Sequence, residues 1–273
     1  MRIATWNVNS IRTRLDHLVQ WLETDPIDVV CLQETKVVDA QFPLAALQAL
    51  GYHCAVFGQK SYNGVAILSR GELQAVKRGF SAVLGTSEAG HSVEWDDQKR
   101  VISGQYNGIT IVNVYVPNGS SIGSDKYDYK LGWLTHFAQY LQQLLQQNDR
   151  VQICGDFNIA PDDRDIHNPA DKETHIMASA AEREVLKSIL DLGFVDAFRH
   201  LHPEGGQFTW WDYRAASFRR NLGWRIDHHY VSPALLPQVL TCKIDRLPRT
   251  WEKPSDHTPV ILELESGAIN LRR

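Results

Sequence analysis

The 273 residues carry 28 Lys and Arg against 32 Asp and Glu, a formal net charge of −4, with 43% apolar and 22% charged side chains. These proportions exclude a disordered or fibrous chain, yet allow a local basic face beside an acidic site. No apolar run approaches the roughly 18–20 residues of a membrane span, and Cys31, Cys54, Cys154 and Cys242 lack CxxC spacing, so a cytoplasmic protein with reduced thiols and no membrane contact is expected.

The chain opens on a strand, a helix and a second strand. RIATWNV (2–8) and IDVVCLQE (27–34) are short and rich in β-branched residues, and Leu15, Leu18, Val19 and Leu22 recur between them at helical spacing. Further strands are expected at 53–58, 64–69, 100–106, 109–117, 151–157, 224–232 and 259–265, and long helices at 126–147 and 179–193. Strands outnumber helices without alternating with them, which favours two packed sheets flanked by helices over a doubly wound parallel sheet. No Gly/Ser-rich or Pro-rich linker divides the chain. We therefore read one domain over residues 1–265 and a short tail at 266–273, with the long polar loop 158–175 as a functional segment.

Polar residues gather where apolar runs stop. Asn7 and Asn9 follow IATW, Gln33 and Glu34 follow DVVCL, Tyr115 follows ITIVNV, and Asp156 and Asn158 follow VQICG. Asp227 sits inside WRIDHHYV, and Asp256 and His257 precede PVILEL. Taken singly, each is more readily a cap, a turn residue or a solvated histidine. Six such places in one chain imply a site rich in carboxylates and amides, suited to an oxygen-ligated divalent ion such as Mg²⁺ and unlike a Cys/His zinc site.

At WNVNSIR, CLQETK, NVYVPNG, GDFNIAP, GWRIDHHYVS and KPSDHTPV, in this order, the sequence resembles the exonuclease III family of apurinic/apyrimidinic endonucleases, within the deoxyribonuclease I-like phosphoesterases. The resemblance spans nearly the whole chain, including KYDYKLGWL, DIHNP and AEREVL, which carry no obvious chemistry. It implies an α/β four-layer sandwich: two packed mixed sheets with helices outside. It implies Glu34 and Asp256 as Mg²⁺ ligands, with Mn²⁺ as a substitute and Asn9 near the same ion. Asp156 would orient or deprotonate the attacking water beside Asn158. His257, held by Asp227, would face the scissile phosphate, and Asn7 and Tyr115 would contact the phosphate or leaving group.

The expected partner is duplex DNA with abasic sites or 3′ ends, bound by a monomer. Residues 208–227 interleave Trp210, Trp211, Tyr213 and Trp224 with Arg214, Arg219, Arg220 and Arg225, a pattern suited to phosphates and an inserted sugar or base. By resemblance, Trp210, Trp224 and Ile226 would line the pocket for a flipped abasic deoxyribose, and Lys36, Tyr62, Asn63 and Asn118 would join Arg214 and Arg225 on the DNA. Lys126 and Lys130 read equally well as surface residues of a helix. The chain departs from some relatives at Asn9, where they have Asp, and in NGSSIGSD (118–125), which lacks a groove-inserting basic residue. His228 and His229 stand where apolar residues are expected. Two competing readings share the fold: a phosphodiesterase of lipids or small phosphorylated molecules, which predicts activity without DNA, and a non-catalytic nucleic-acid-binding regulator, which predicts a gap in the constellation.

Overall fold

The computed structural model describes residues 1–85, 91–170 and 172–265; the tail expected at 266–273 lies outside the described residues. Its strands are β1 (Arg2–Asn7), β2 (Val29–Gln33), β3 (His53–Phe57), β4 (Val65–Ser69), β5 (Gln74–Arg78) and β6 (Val101–Tyr106). They continue with β7 (Ile109–Tyr115), β8 (Val151–Asp156), β9 (Val195–Asp196), β10 (Asp227–Val231), β11 (Val239–Ile244) and β12 (Val260–Leu264). Two six-stranded sheets result, ordered β11-β12-β1-β2-β4-β3 and β5-β6-β7-β8-β10-β9. Each holds one parallel pair in its interior, β1 with β2 and β7 with β8, and is antiparallel elsewhere.

Both faces of the central strands are apolar because both are covered. Successive residues of β2 alternate in direction: Val29 and Cys31 join Ile67, Ile111, Cys154 and Leu262 between the sheets, while Val30 and Leu32 pack outward with Leu18 and Trp21 of the Ile11–Thr24 helix. On the second sheet, Val112, Val114 and Ile153 pack outward against Trp133, Phe137 and Leu141 of the Asp125–Gln147 helix and against Leu186 and Ile189 of the Ala180–Leu190 helix. The expected layering of helix, sheet, sheet and helix is the layering observed.

Several expectations are corrected. Lys130 is not on the helix surface; its side chain is fully buried against Glu182. His228 and His229, polar residues at positions expected to be apolar, stand in β10 with no exposed surface. The ring of His229 donates through Nε2 to the Val260 carbonyl at 3.0 Å and accepts at Nδ1 from Gln152 at 2.8 Å. His228 donates to the Ile159 carbonyl at 2.9 Å and accepts from Arg225 at 3.0 Å. Two satisfied nitrogens let a neutral imidazole replace an apolar side chain in a core. Arg225 is likewise no DNA contact: it is buried, with Nε on Asp165 at 2.6 Å and Nη2 on Asp196 at 2.8 Å.

Candidate active site

The topology brings the polar residues to one end of both sheets. Asn7, Gln33, Tyr115 and Asp156 close the four parallel strands, where crevices for ligands form in such sheets. β10 and β12 run the other way, so their beginnings arrive at the same end: Asp227 pairs across from Asp156, and the loop with Asp256 and His257 leads into β12. Asp156 can stand there because its neighbour is glycine. A Cβ on Gly155 would lie 1.9 Å from the Val114 carbonyl, at φ +149°. Beneath the site Gln33 turns inward, donating to Thr5 at 2.9 Å and to Asn113 at 2.7 Å, and Asn113 donates to the carbonyls of Leu32 and Ala66. This buried amide pair bolts the sheets together beneath Asn7 and Asp156.

Asn7 is the hub. Its amide donates to Glu34 at 2.8 Å and to Asp156 at 2.9 Å, and its carbonyl oxygen accepts from the Asn9 backbone at 3.0 Å. Asp156 also accepts the Asn158 N–H at 2.9 Å and stands 3.7 Å from His257 Nε2. On the other side of its ring, His257 Nδ1 meets Asp227 at 2.9 Å. Asp256 accepts from Asn9 at 2.9 Å and from the Trp210 indole at 3.0 Å. Asn118 donates to Asn158 at 3.0 Å, and Asn158 to the Val116 carbonyl at 3.0 Å.

Charge follows from this packing. Burial alone would strip the proton from His257, but the carboxylates of Asp227 and Asp156 outweigh it and raise the imidazole to about 10. Burial lifts Asp156 to about 7 despite the opposing His257 cation. Burial also works to raise Glu34, yet Lys36 and the Asn7 amide prevail and hold it below the ordinary carboxylate range. Burial and the Glu34 anion keep Tyr115 protonated, while the Arg100 guanidinium lies 4.5 Å over its ring.

Residues 4–257 match the endonuclease/exonuclease/phosphatase family. The exodeoxyribonuclease of Bacillus subtilis is 35% identical over 270 residues, covering 96% of this chain and 98% of that protein. The chain belongs to this family. Two solved structures are similar over 97% of this chain and 99% of each of theirs. A 3′ phosphatase, NExo, from Neisseria with a product DNA hairpin superposes with a TM-score of 0.91 at 40% identity, and an AP endonuclease from Archaeoglobus fulgidus with 0.89 at 40%.

Members of the endonuclease/exonuclease/phosphatase family are metal-dependent, and the donor set here fits an ion. Ligand atoms of Glu34, Asp156 and His257 fall within 4.8 Å of one another. His257 holds a proton and is therefore a poor ligand. The remaining donors are oxygens, and two of them already converge on a cation: the Lys36 ammonium lies 2.8 Å from Glu34 Oε2 and donates to Asn9 Oδ1. A hard divalent ion asks for the same oxygens. Asp256 joins this side of the site through Asn9.

The aromatic stretch divides. Trp210, Trp224 and Ile226 pack with Ile166, Ala160 and Met177 beside His257, to which Trp210 forms a β-bridge. Tyr213 is half exposed, with its hydroxyl on the Pro254 carbonyl at 2.9 Å; Trp211 is buried. Arg214 is almost fully exposed and pairs with Asp212. On the opposite flank a cavity of about 600 Å³ is lined by Tyr62, Asn63, Arg100, Tyr115, Asn118 and Lys126. Residues that sequence reading missed include Ser255, whose hydroxyl donates to the Asn7 carbonyl at 2.7 Å, and Thr209, whose oxygen accepts the N–H groups of Ile226 and Asp227. Ser255 lay within the PSDH block and Thr209 within the Trp/Arg stretch, but neither type signals a backbone tether in advance.

Proposed function

We propose that the chain is a Mg²⁺-dependent DNA repair nuclease that hydrolyses the phosphodiester 5′ to abasic sites in duplex DNA and also trims 3′ ends. The observation that carries this reading is the unbroken chain of contacts from Glu34 through Asn7, Asp156 and His257 to Asp227. Phosphodiester hydrolysis needs an aligned water, a proton acceptor and donors aimed at the phosphoryl oxygens. Asp156, fixed by the Asn158 N–H and the Asn7 amide, takes the proton of the attacking water as oxygen bonds to phosphorus. The 3′ oxygen departs from the same phosphorus, and the protonated Tyr115 is placed to donate toward it. His257, its Nδ1 proton on Asp227, presents Nε2–H to a non-bridging oxygen. Mg²⁺ held by Glu34, Asp256 and Asn9 would supply the positive charge that offsets the charge growing on the phosphate.

The Trp210, Trp224 and Ile226 cluster supports a pocket for an abasic deoxyribose, since extruding a nucleotide costs least where the base is missing. Lys36, Tyr62, Asn63, Asn118 and Arg214 would attend the strand. The four free thiols suit a reducing cytoplasmic setting, and the reading is of a monomer acting as one catalytic unit over residues 1–265. Among the described residues no helix is long and apolar enough to cross a membrane.

The test uses end-labelled duplexes, one with an internal abasic analogue and one with a nick bearing a 3′ phosphate, incubated with Mg²⁺, with EDTA, and with His257→Ala. Scission immediately 5′ to the analogue, lost in both controls, is expected. Removal of the 3′ phosphate without internal scission would restrict the enzyme to 3′ ends, as the name of the Neisseria neighbour describes that protein. Inertness on both duplexes with release of phosphate from inositol phosphates would replace DNA as the substrate class.

A further inference from the structure

The stretches KYDYKLGWL and AEREVL meet in one buried ion pair behind the site. Lys130, from the Asp125–Gln147 helix, and Glu182, from the Ala180–Leu190 helix, both have fully buried side chains. The Lys130 ammonium has three N–H donors and uses each: one on Glu182 Oε1, one on the Asn118 carbonyl at 3.1 Å, one on the Asn158 carbonyl at 2.8 Å. Glu182 is equally occupied. Its Oε1 accepts the Met177 N–H at 3.0 Å, and its Oε2 accepts the Ser179 N–H at 3.0 Å and hydroxyl at 2.6 Å, within a capping box.

Burying this pair is costly by comparison with apolar residues of the same volume, so its presence asks for a reason beyond stability. Asn118 and Asn158 supply one. They leave the ends of β7 and β8, the parallel pair that carries Tyr115 and Asp156, and a single ammonium grips both of their carbonyls. In front of that grip the two side chains are joined at 3.0 Å. Gly119 seals the arrangement, because a Cβ at this φ of +89° would press on Lys130 Cδ at 3.1 Å. Asn158 itself stands in the left-handed region, at φ +49°, which its short amide side chain tolerates.

We propose that Lys130, with Glu182 as its counter-ion, is a positioning residue for phosphodiester hydrolysis: it locks the Asn118 and Asn158 loops so that their side chains and the Asp156 carboxylate face the phosphate in register. This rests on the reading above that these residues attend the scissile phosphate. It acts on geometry, so its signature is a fall in kcat with KM little changed; misplacement by about 1 Å costs about 100-fold in rate.

The test compares wild type, Glu182→Gln and the double variant Lys130→Met with Glu182→Gln in steady-state cleavage of the duplex substrates, alongside thermal melts. The double variant removes both buried charges. Its melting temperature is expected to return to near that of wild type while kcat stays about 100-fold down and KM moves less than about threefold. A double variant with wild-type kcat would overturn the proposal and leave the pair a structural feature. If the double variant does not fold, Glu182→Gln decides, since it keeps the shape and most hydrogen bonds: kcat lowered about tenfold at unchanged KM is expected, and unchanged kcat overturns the proposal. Wild-type protein inert on DNA would sink the functional reading instead, independently of either variant.

Discussion

In the proposed reaction Asp227 acts through His257, at 2.9 Å from Nδ1, and it is the largest influence holding the imidazole protonated against burial. Replacing it with Asn keeps the shape and removes the anion, so the imidazole loses its proton at lower pH than in wild type. Asp227→Asn is therefore expected to lower kcat by about 100-fold or more and to move the alkaline limb of the rate profile to lower pH. A limb that stays in place would show that His257 is not the group whose proton the reaction needs. Glu34→Gln probes the other end of the chain. It removes the negative oxygen that shares the Lys36 ammonium with Asn9, so the Mg²⁺ concentration for half-maximal rate should rise by about tenfold or more. Titration of rate against Mg²⁺ for both proteins checks this, and an unchanged midpoint would place the ion elsewhere.

At the scale of elements, strands such as β2 and β8 could be read from sequence because they are buried on both faces and rich in Val, Ile, Leu and Cys, which have few other uses in so short a run. β5 and β11 escaped notice because most of their residues are at least partly exposed and carry no such run, and β9 is two residues long. The convergence of Asn7, Glu34, Asp156, Asp227 and His257 was legible because polar residues stand where apolar runs end. The tethers were not, because an Arg in an aromatic stretch looks like a DNA contact until its burial is known. Arg225 shows the difference. It joins β9 at Asp196 to the 158–166 loop at Asp165, and Arg199 reaches the same Asp165 oxygen. Removing one partner strands buried charge, so Arg225→Met is expected to destabilise by about 3–5 kcal/mol. Arg214→Ala should leave the melting temperature unchanged and weaken duplex binding with a shallower salt dependence. Denaturant melts and salt-titrated binding separate the two. An Arg225→Met protein as stable as wild type would mean that the carboxylates find another partner.

For the whole molecule, the buried histidines set how stability responds to acid. Burial pushes His228 and His229 down to about 4, whereas an unfolded chain protonates them near 6.5. Between those values the unfolded state binds protons that the native state refuses, so stability rises with pH through this window and is lost as pH falls from about 6.5 toward 4. Asp156 works the opposite way, since its raised carboxyl takes up a proton in the native state first. Overall stability against pH therefore mixes the two, and a difference between proteins isolates one. His229→Leu is the informative variant, because its ring bonds Gln152 and Val260, neither of them in the proposed catalytic set. At pH 7 the variant should be less stable, having lost both bonds and left Gln152 without its acceptor. By pH 5 the wild type alone has also paid the cost of keeping His229 neutral, on the order of 2 kcal/mol, so the gap between the two proteins should narrow by that amount. Urea midpoints for both proteins at pH 7, 6 and 5 measure it. A gap that stays constant with pH would mean that the native protein admits a proton at His229, and that the ring in β10 is less sealed than its two hydrogen bonds imply.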